Sequence, residues 1–179
     1  MNHRTRIFRR LTMMAVFAVF PPLAANAACN DRVDRLAPDS RYVDNGDNTV
    51  TDRQTGLMWR QCVEGLTSTA SPCDTGAVTL MTWSGALLAV NASNNGGGFA
   101  GFTDWRLPNI KELGSLVEYG CFYPAINETL FPGTPATEYY WSSTPDTGQY
   151  SLAIDFANGN DVTMTVNTPA IVRMVRDVP

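Results

Sequence analysis

Short apolar runs broken by turn residues come first. Tyr42-Val43 and Thr49-Val50-Thr51 flank Asp44-Asn45-Gly46-Asp47-Asn48, and Asp52 to Gly56 leads into Leu57-Met58-Trp59. Asn-Gly tolerates positive φ, so the spacing predicts two strands about a tight turn and a third after a second turn, a β-meander. The rhythm then lengthens. Trp83, Ala86, Leu87 and Val90 stand at i, i+3, i+4 and i+7, one apolar face of a helix that Thr82 can cap. Ile110, Leu113, Leu116 and Val117 form a second such face. Pro108 precedes it, Asn109 and Glu112 have capping-box spacing, and Gly120 supplies a stop.

Phe122 to Glu138, rich in Pro, Thr and Asn, predicts an ordered stretch without regular structure. Strand signals return at Tyr139–Ser143, Ser151–Phe156, Val162–Val166 and Ile171–Arg176. In the second of these, Leu152, Ile154 and Phe156 alternate with Ala153 and Asp155, the period-two sign of a half-buried strand. Strands, two helices, a long loop and strands again predict an α+β domain whose sheet draws on both ends of the chain.

The N-terminal pattern belongs to no such element. Arg4, Arg6, Arg9 and Arg10 precede an apolar run from Leu11 to Phe20, then Pro21-Pro22 and Ala24-Ala25-Asn26-Ala27. That order is a secretory signal, with cleavage expected after Ala27. The run falls short of the roughly 20 apolar residues of a membrane span. Residues after Arg9-Arg10 fit twin-arginine export poorly, so the general secretory route is preferred. Cys29 opens a lipoprotein alternative, but Asn26 stands where such a signal has a Leu-like residue. The expectation is an exported chain, 1–27 signal and 28–179 one domain, its final station being periplasm, outer surface or medium.

Export changes the charge. Cleavage removes four of the 13 basic residues and none of the 17 acidic ones, leaving nine against 17, a net charge near −8. A chain so acidic lacks the basic stripe that nucleic acid or an anionic membrane requires. The sole histidine, His3, leaves too, and with it any Ser-His-Asp or Cys-His nucleophile pair.

Cys29, Cys62, Cys73 and Cys121 remain, an even count that in an oxidising compartment reads as two disulfides. Three pairings are open, with free cysteines a further alternative. Loop economy favours Cys62 with Cys73 across a Gly/Ser/Thr/Pro stretch, which leaves Cys29 for Cys121.

Other motifs have plain readings. Gly96-Gly97-Gly98-Phe99-Ala100-Gly101 has G-x-G-x-x-G spacing but follows a helix, so Asn94 to Gly98 reads as a flexible connector. Asp44, Asp47 and Asp52 lack the EF-hand order and read as turn residues. Asp155, Asn158, Asn160 and Asp161 surround a predicted hairpin tip at Asn158-Gly159 and are weak candidates for calcium; no other cofactor is expected. Trp59, Trp83, Trp105 and Trp141 are expected in the core, and Lys111 on the surface. A carboxylate-based hydrolase is the enzymatic alternative, although nothing singles out a catalytic pair.

Asp44 to Asp52, Thr55-Gly56-Leu57-Met58-Trp59, Gly101-Phe102-Thr103-Asp104-Trp105-Arg106-Leu107-Pro108-Asn109, Glu112-Leu113 and Tyr140-Trp141-Ser142-Ser143 follow in a distinctive order. From about Arg41 to Arg176 they resemble the bacterial family named after the C-terminal domain of the Legionella collagen-like adhesin. The resemblance implies a C-type-lectin-like fold and a role in adhesion or glycan binding, without catalytic residues. Trp105, Arg106, Leu107, Pro108 and Asn109 form its structural motif, with Arg106 expected to ion-pair at the start of the second helix. The namesake is credited with sulfated polysaccharides, which the acidity of this chain opposes. The expected partner is a neutral glycan or a cell-surface protein. Tyr139, Tyr140 and Tyr150, with the amides of Asn158 and Asn160, are the candidate contacts, and homo-oligomerisation is left open.

Overall fold

A computed structural model describes residues 28–30 and 32–178; the expected signal segment, 1–27, lies outside them. The meander forms as the turn chemistry predicts. Strands β2 (Tyr42–Asp44), β3 (Thr49–Asp52) and β4 (Leu57–Arg60) are antiparallel neighbours. Gly46 and Asn48 take φ of 76° and 65° between the first two. The acidic residues serve that turn: the Gly46 N–H donates to Asp44 Oδ1 at 2.9 Å and the Thr49 N–H to Asp47 Oδ1 at 3.1 Å. Strand β11 (Val175–Asp177) pairs with β4 and completes a sheet of order β11-β4-β3-β2.

Three further antiparallel sheets accompany it among the described residues. A small pair joins β1 (Ala28–Cys29) to β7 (Cys121–Phe122), and another joins β5 (Leu66–Thr67) to β6 (Thr75–Gly76). A three-stranded sheet of order β10-β9-β8 comprises β8 (Tyr139–Pro145), β9 (Tyr150–Asp155) and β10 (Asn160–Thr165). Both expected disulfides are present. Cys29–Cys121 lies inside the β1–β7 pair, and Cys62–Cys73 closes the loop that carries β5 and β6.

Helix α1 (Trp83–Asn95) starts at Thr82, whose hydroxyl accepts from the Gly85 N–H at 3.2 Å. Helix α2 (Ile110–Gly114) carries the full capping box: Asn109 Oδ1 accepts from Lys111 and Glu112 N–H, and Glu112 Oε2 accepts from the Asn109 N–H at 2.8 Å. Arg106 closes the arrangement. Its guanidinium meets Glu112 at 2.7 Å and Asp177 at 2.9 Å, tying the helix start to β11.

The second helix is shorter than its sequence suggests. Gly120 does not end it. Val117 leaves the helical path to bridge Ile126, yet Leu113, Leu116 and Val117 stay buried. The glycine-rich connector also differs from expectation, being tightly built. Phe99 and Phe102 exchange backbone hydrogen bonds across Ala100-Gly101, and a Cβ on Gly98 would lie 2.0 Å from the Phe102 carbonyl oxygen. The Asn94 amide both donates to and accepts from the Trp105 backbone.

Strand β9 is covered on both faces, not one. Tyr140, Ile154 and Phe156 enter a core with Trp59, Leu113, Leu116 and Phe131, whereas Trp141 and Ala153 face a second core with Ala86, Val90, Trp105 and Met174. Period two sends neighbouring residues to opposite faces, and here apolar layers cover each. Of the expected tryptophans, Trp59, Trp105 and Trp141 are fully enclosed, and Trp83 is half-buried while its indole N–H donates to the Ser142 carbonyl. Between the cores Arg173 is wholly buried. It donates to the Arg60 and Gln61 carbonyls and to Thr134 Oγ1, with its guanidinium over the Phe131 ring. Burial pushes its pKa down to about 10.

Candidate aromatic recognition site

The sequence-nominated contacts do not form one cluster. Tyr139 and Tyr140 are adjacent in β8 and so face opposite ways. Tyr139 is exposed. Tyr140 is fully buried: its ring meets Phe156 edge-on at 4.8 Å and its hydroxyl donates to the Pro135 carbonyl at 2.9 Å. It is a core residue and no ligand contact. Tyr150 is exposed but pairs with Thr165, whereas Tyr139 pairs with Asp155 and Asp155 with Asn160. Five residues of strand therefore separate Tyr150 from that row, about 17 Å at the strand rise.

The β9–β10 turn is a true hairpin tip. Asp155 Oδ1 accepts from the Ala157 N–H and Asn158 Oδ1 from the Asn160 N–H, both short-range turn bonds. Asp161 pairs with Ile154, one position from the Asp155–Asn160 pair, and so projects from the opposite face. That geometry separates Asp161 from Asp155 and Asn160 in the set named from sequence as weak calcium candidates. Among the described residues, no three of His, Cys, Asp or Glu gather as a metal site.

What the structure does bring to this tip is a different set of aromatics. Val117 bridges Ile126, the Glu118 N–H donates to the Ala125 carbonyl, and the intervening residues 119–124 form the end of a loop. Its three aromatics point outward: Tyr119 is 61 % exposed, Phe122 57 % and Tyr123 41 %. The Phe122 and Tyr123 rings lie 6.0 Å apart. The Tyr123 N–H donates to the Ala157 carbonyl at 3.0 Å. Gly159 at the hairpin tip packs so closely that a Cβ there would stand 2.4 Å from Val117 and 3.3 Å from the Tyr119 ring.

The loop is braced from behind. Glu118 is buried, and its carboxylate accepts from the Ala37 N–H at 2.8 Å and the Gly120 N–H at 2.9 Å. The Cys29–Cys121 bridge sits next to Phe122. Beside Tyr123 runs a shallow cleft of about 330 Å³ with Glu128, Thr134 and Thr137 on its walls. Rings displayed on so fixed a base are unusual for a surface that has only to stay soluble, because adjacent exposed apolar groups generally mark a binding face.

The family model for the Lcl C-terminal domain matches residues 48–176. The chain belongs to the Lcl C-terminal domain family. No curated protein matches it significantly. The Lcl C-terminal domain match takes in the aromatic loop, the hairpin tip and the Arg106 motif, while Cys29, which anchors the loop from outside, precedes it. Phe122 and Tyr123 were missed in the sequence because they open the stretch without periodicity, and Tyr119 because it stands just before the glycine expected to stop the second helix. The available signal was Tyr119-Gly120-Cys121-Phe122-Tyr123-Pro124, three aromatics around a bridged cysteine.

Proposed function

We propose that this member of the Lcl C-terminal domain family is an exported, non-catalytic recognition module that holds a neutral glycan at its aromatic end. One observation carries the proposal: Tyr119, Phe122 and Tyr123 stand exposed on one disulfide-braced loop, the Phe122 and Tyr123 rings side by side and Tyr119 against a tip bearing Asn158 and Asn160. Aromatic faces take the C–H surfaces of a sugar ring, amides exchange hydrogen bonds with hydroxyls, and a rigid base lowers the ordering cost of binding. Two disulfides and the adhesin-family domain support a place outside the cytoplasm. The α+β order agrees with the C-type-lectin-like architecture that the family resemblance implies.

A neutral ligand is favoured because acidic residues outnumber basic ones and five of the nine cations after Ala27 are already engaged. Arg41, Arg60, Arg106 and Arg176 each pair with a carboxylate, and Arg173 is buried. The test is an array of neutral and sulfated oligosaccharides probed with wild type, Tyr119→Ala and Tyr123→Ala. Binding to neutral members, reduced about tenfold in each variant, is expected, the loss being that of a recognition hot spot. Binding confined to sulfated members, or shared equally by all three proteins, would remove the proposal. Glycans recovered from the wild-type protein should have unchanged mass; cleavage would support the hydrolase alternative.

A further inference from the structure

A second cavity, deeper and made of other residues, lies where the β2–β3 turn, the end of β4 and the Gly98–Phe99 loop meet. It measures about 280 Å³. Arg60 forms one wall, its guanidinium 4.5 Å from the Phe99 ring centroid and 5.1 Å from that of Trp105. It donates to the Ser93 hydroxyl and, at a long 3.4 Å, to Glu64 Oε2. Glu64 is itself fixed by its backbone, whose N–H donates to the Val172 carbonyl at 2.9 Å while its carbonyl accepts from the Thr79 N–H at 3.0 Å. Across the cavity Asn48 presents an amide with no hydrogen bond of its own among the described residues. Leu66 and the bridged Cys62 complete the lining.

Three features of this lining specify a ligand. One guanidinium and one carboxylate in contact cancel, so the cavity gives no net attraction to an ion and would leave one partner uncompensated if an ion displaced the other. The remaining polar capacity mixes donors and acceptors: Arg60 can only donate, Glu64 can only accept, and Asn48 does both. Hydroxyl groups, each able to give and take a hydrogen bond, satisfy such a mixture. Phe99 and Leu66 supply an apolar wall for a C–H face. The volume, just under the usual range for small-molecule pockets of roughly 300–1,000 Å³, suits one ring and not a chain of them.

We infer that this cavity is a second binding site, which takes a single neutral sugar residue. It builds on the recognition function proposed above but uses none of the same residues, so the chain would engage a glycan, or two glycans, at two points. Two weak sites within one rigid body raise avidity well beyond either alone when the geometry lets both engage.

Saturation-transfer NMR with the methyl glycosides of glucose, galactose, mannose and N-acetylglucosamine, and with acetate and glycine as charged probes, tests this directly. Two substitutions spare the fold. Glu64→Gln keeps the shape and removes the charge, and Asn48→Gly suits the left-handed backbone at φ 65° while deleting the amide. Measured in a Tyr123→Ala background, which weakens the aromatic end, transfer to at least one glycoside is expected and should fall at least about fivefold when either cavity substitution is added. The inference is overturned if no glycoside shows transfer, if acetate or glycine is preferred, or if transfer survives in both cavity variants. Loss in Tyr123→Ala alone would also overturn it, by assigning the sugar to the aromatic end, and would leave the recognition function standing.

Discussion

Asp52 illustrates how much depends on single charges here. Its carboxylate is fully buried, which by itself raises its pKa, yet the Arg41 guanidinium, the Thr55 hydroxyl and the Gln54 N–H together hold it below the ordinary carboxylate value. A group with a depressed folded pKa stabilises the protein above its unfolded pKa of about 4 and loses that contribution as pH falls through the folded value. Asp52→Asn should therefore cost about 3 kcal/mol at pH 7, the usual penalty for orphaning one partner of a buried pair. Urea unfolding should show the gap to wild type narrowing as pH drops below about 4. At this scale the sequence was partly legible. Arg106 was expected from the family motif to ion-pair at the start of the second helix, and the structure supplies the partners, Glu112 and Asp177. Tyr139 and Tyr140 could not be told apart, since alternation puts them on opposite faces without saying which face is covered.

Among the elements, those with strong end signals are where the sequence places them. The capping box of α2 satisfies three backbone N–H groups, so Asn109→Ala should lower stability by about 1 kcal/mol in denaturant titrations. The far end of that helix was illegible because the deciding interaction, the Val117–Ile126 bridge, is made with a segment lacking any periodic pattern. The same segment hid the aromatic loop. Gly159 links that loop to the β9–β10 hairpin, at φ 81° and with no room for a side chain. Gly159→Ala should destabilise by about 1–3 kcal/mol through left-handed strain and overlap with Val117. Calorimetry would measure the loss, and glycan binding at the aromatic end should weaken with it while the Arg60 cavity is unaffected.

For the whole molecule, charge and connectivity dominate. Nine basic residues against 17 acidic ones follow Ala27, and four of the nine, Arg41, Arg60, Arg106 and Arg176, already pair with carboxylates. The mature protein should pass through a heparin column at neutral pH and low salt; retention that salt abolishes would reveal a basic face. Class and element order were readable because period and turn chemistry are local. Long-range pairing was readable only as a sheet drawing on both chain ends, as β11 and the meander do, without its register or partners. That β11 joins β4, and that β8 to β10 form a sheet of their own with both faces covered, depends on distant partners that no local pattern names. Of the β1–β7 pair, only the Cys29–Cys121 bridge was foreseen, from cysteine parity and loop length.

Residues 170–177 touch nearly every part of the fold. They bond to Met81, Tyr139, Trp141, Arg60, Glu64 and Arg106, and they carry the buried guanidinium of Arg173. Ribosomes make them after all of those partners. Until they emerge, β4 lacks one neighbour and both cores lack a wall, so the nascent polypeptide has no finished structure to settle into. The export proposed above requires a chain that stays unfolded in transit, and making this keystone after all of its partners would keep the chain threadable until then. Removing residues 170–179 should abolish cooperative unfolding altogether, whereas an N-terminal fusion should leave the timing of folding unchanged in pulse-proteolysis of arrested chains.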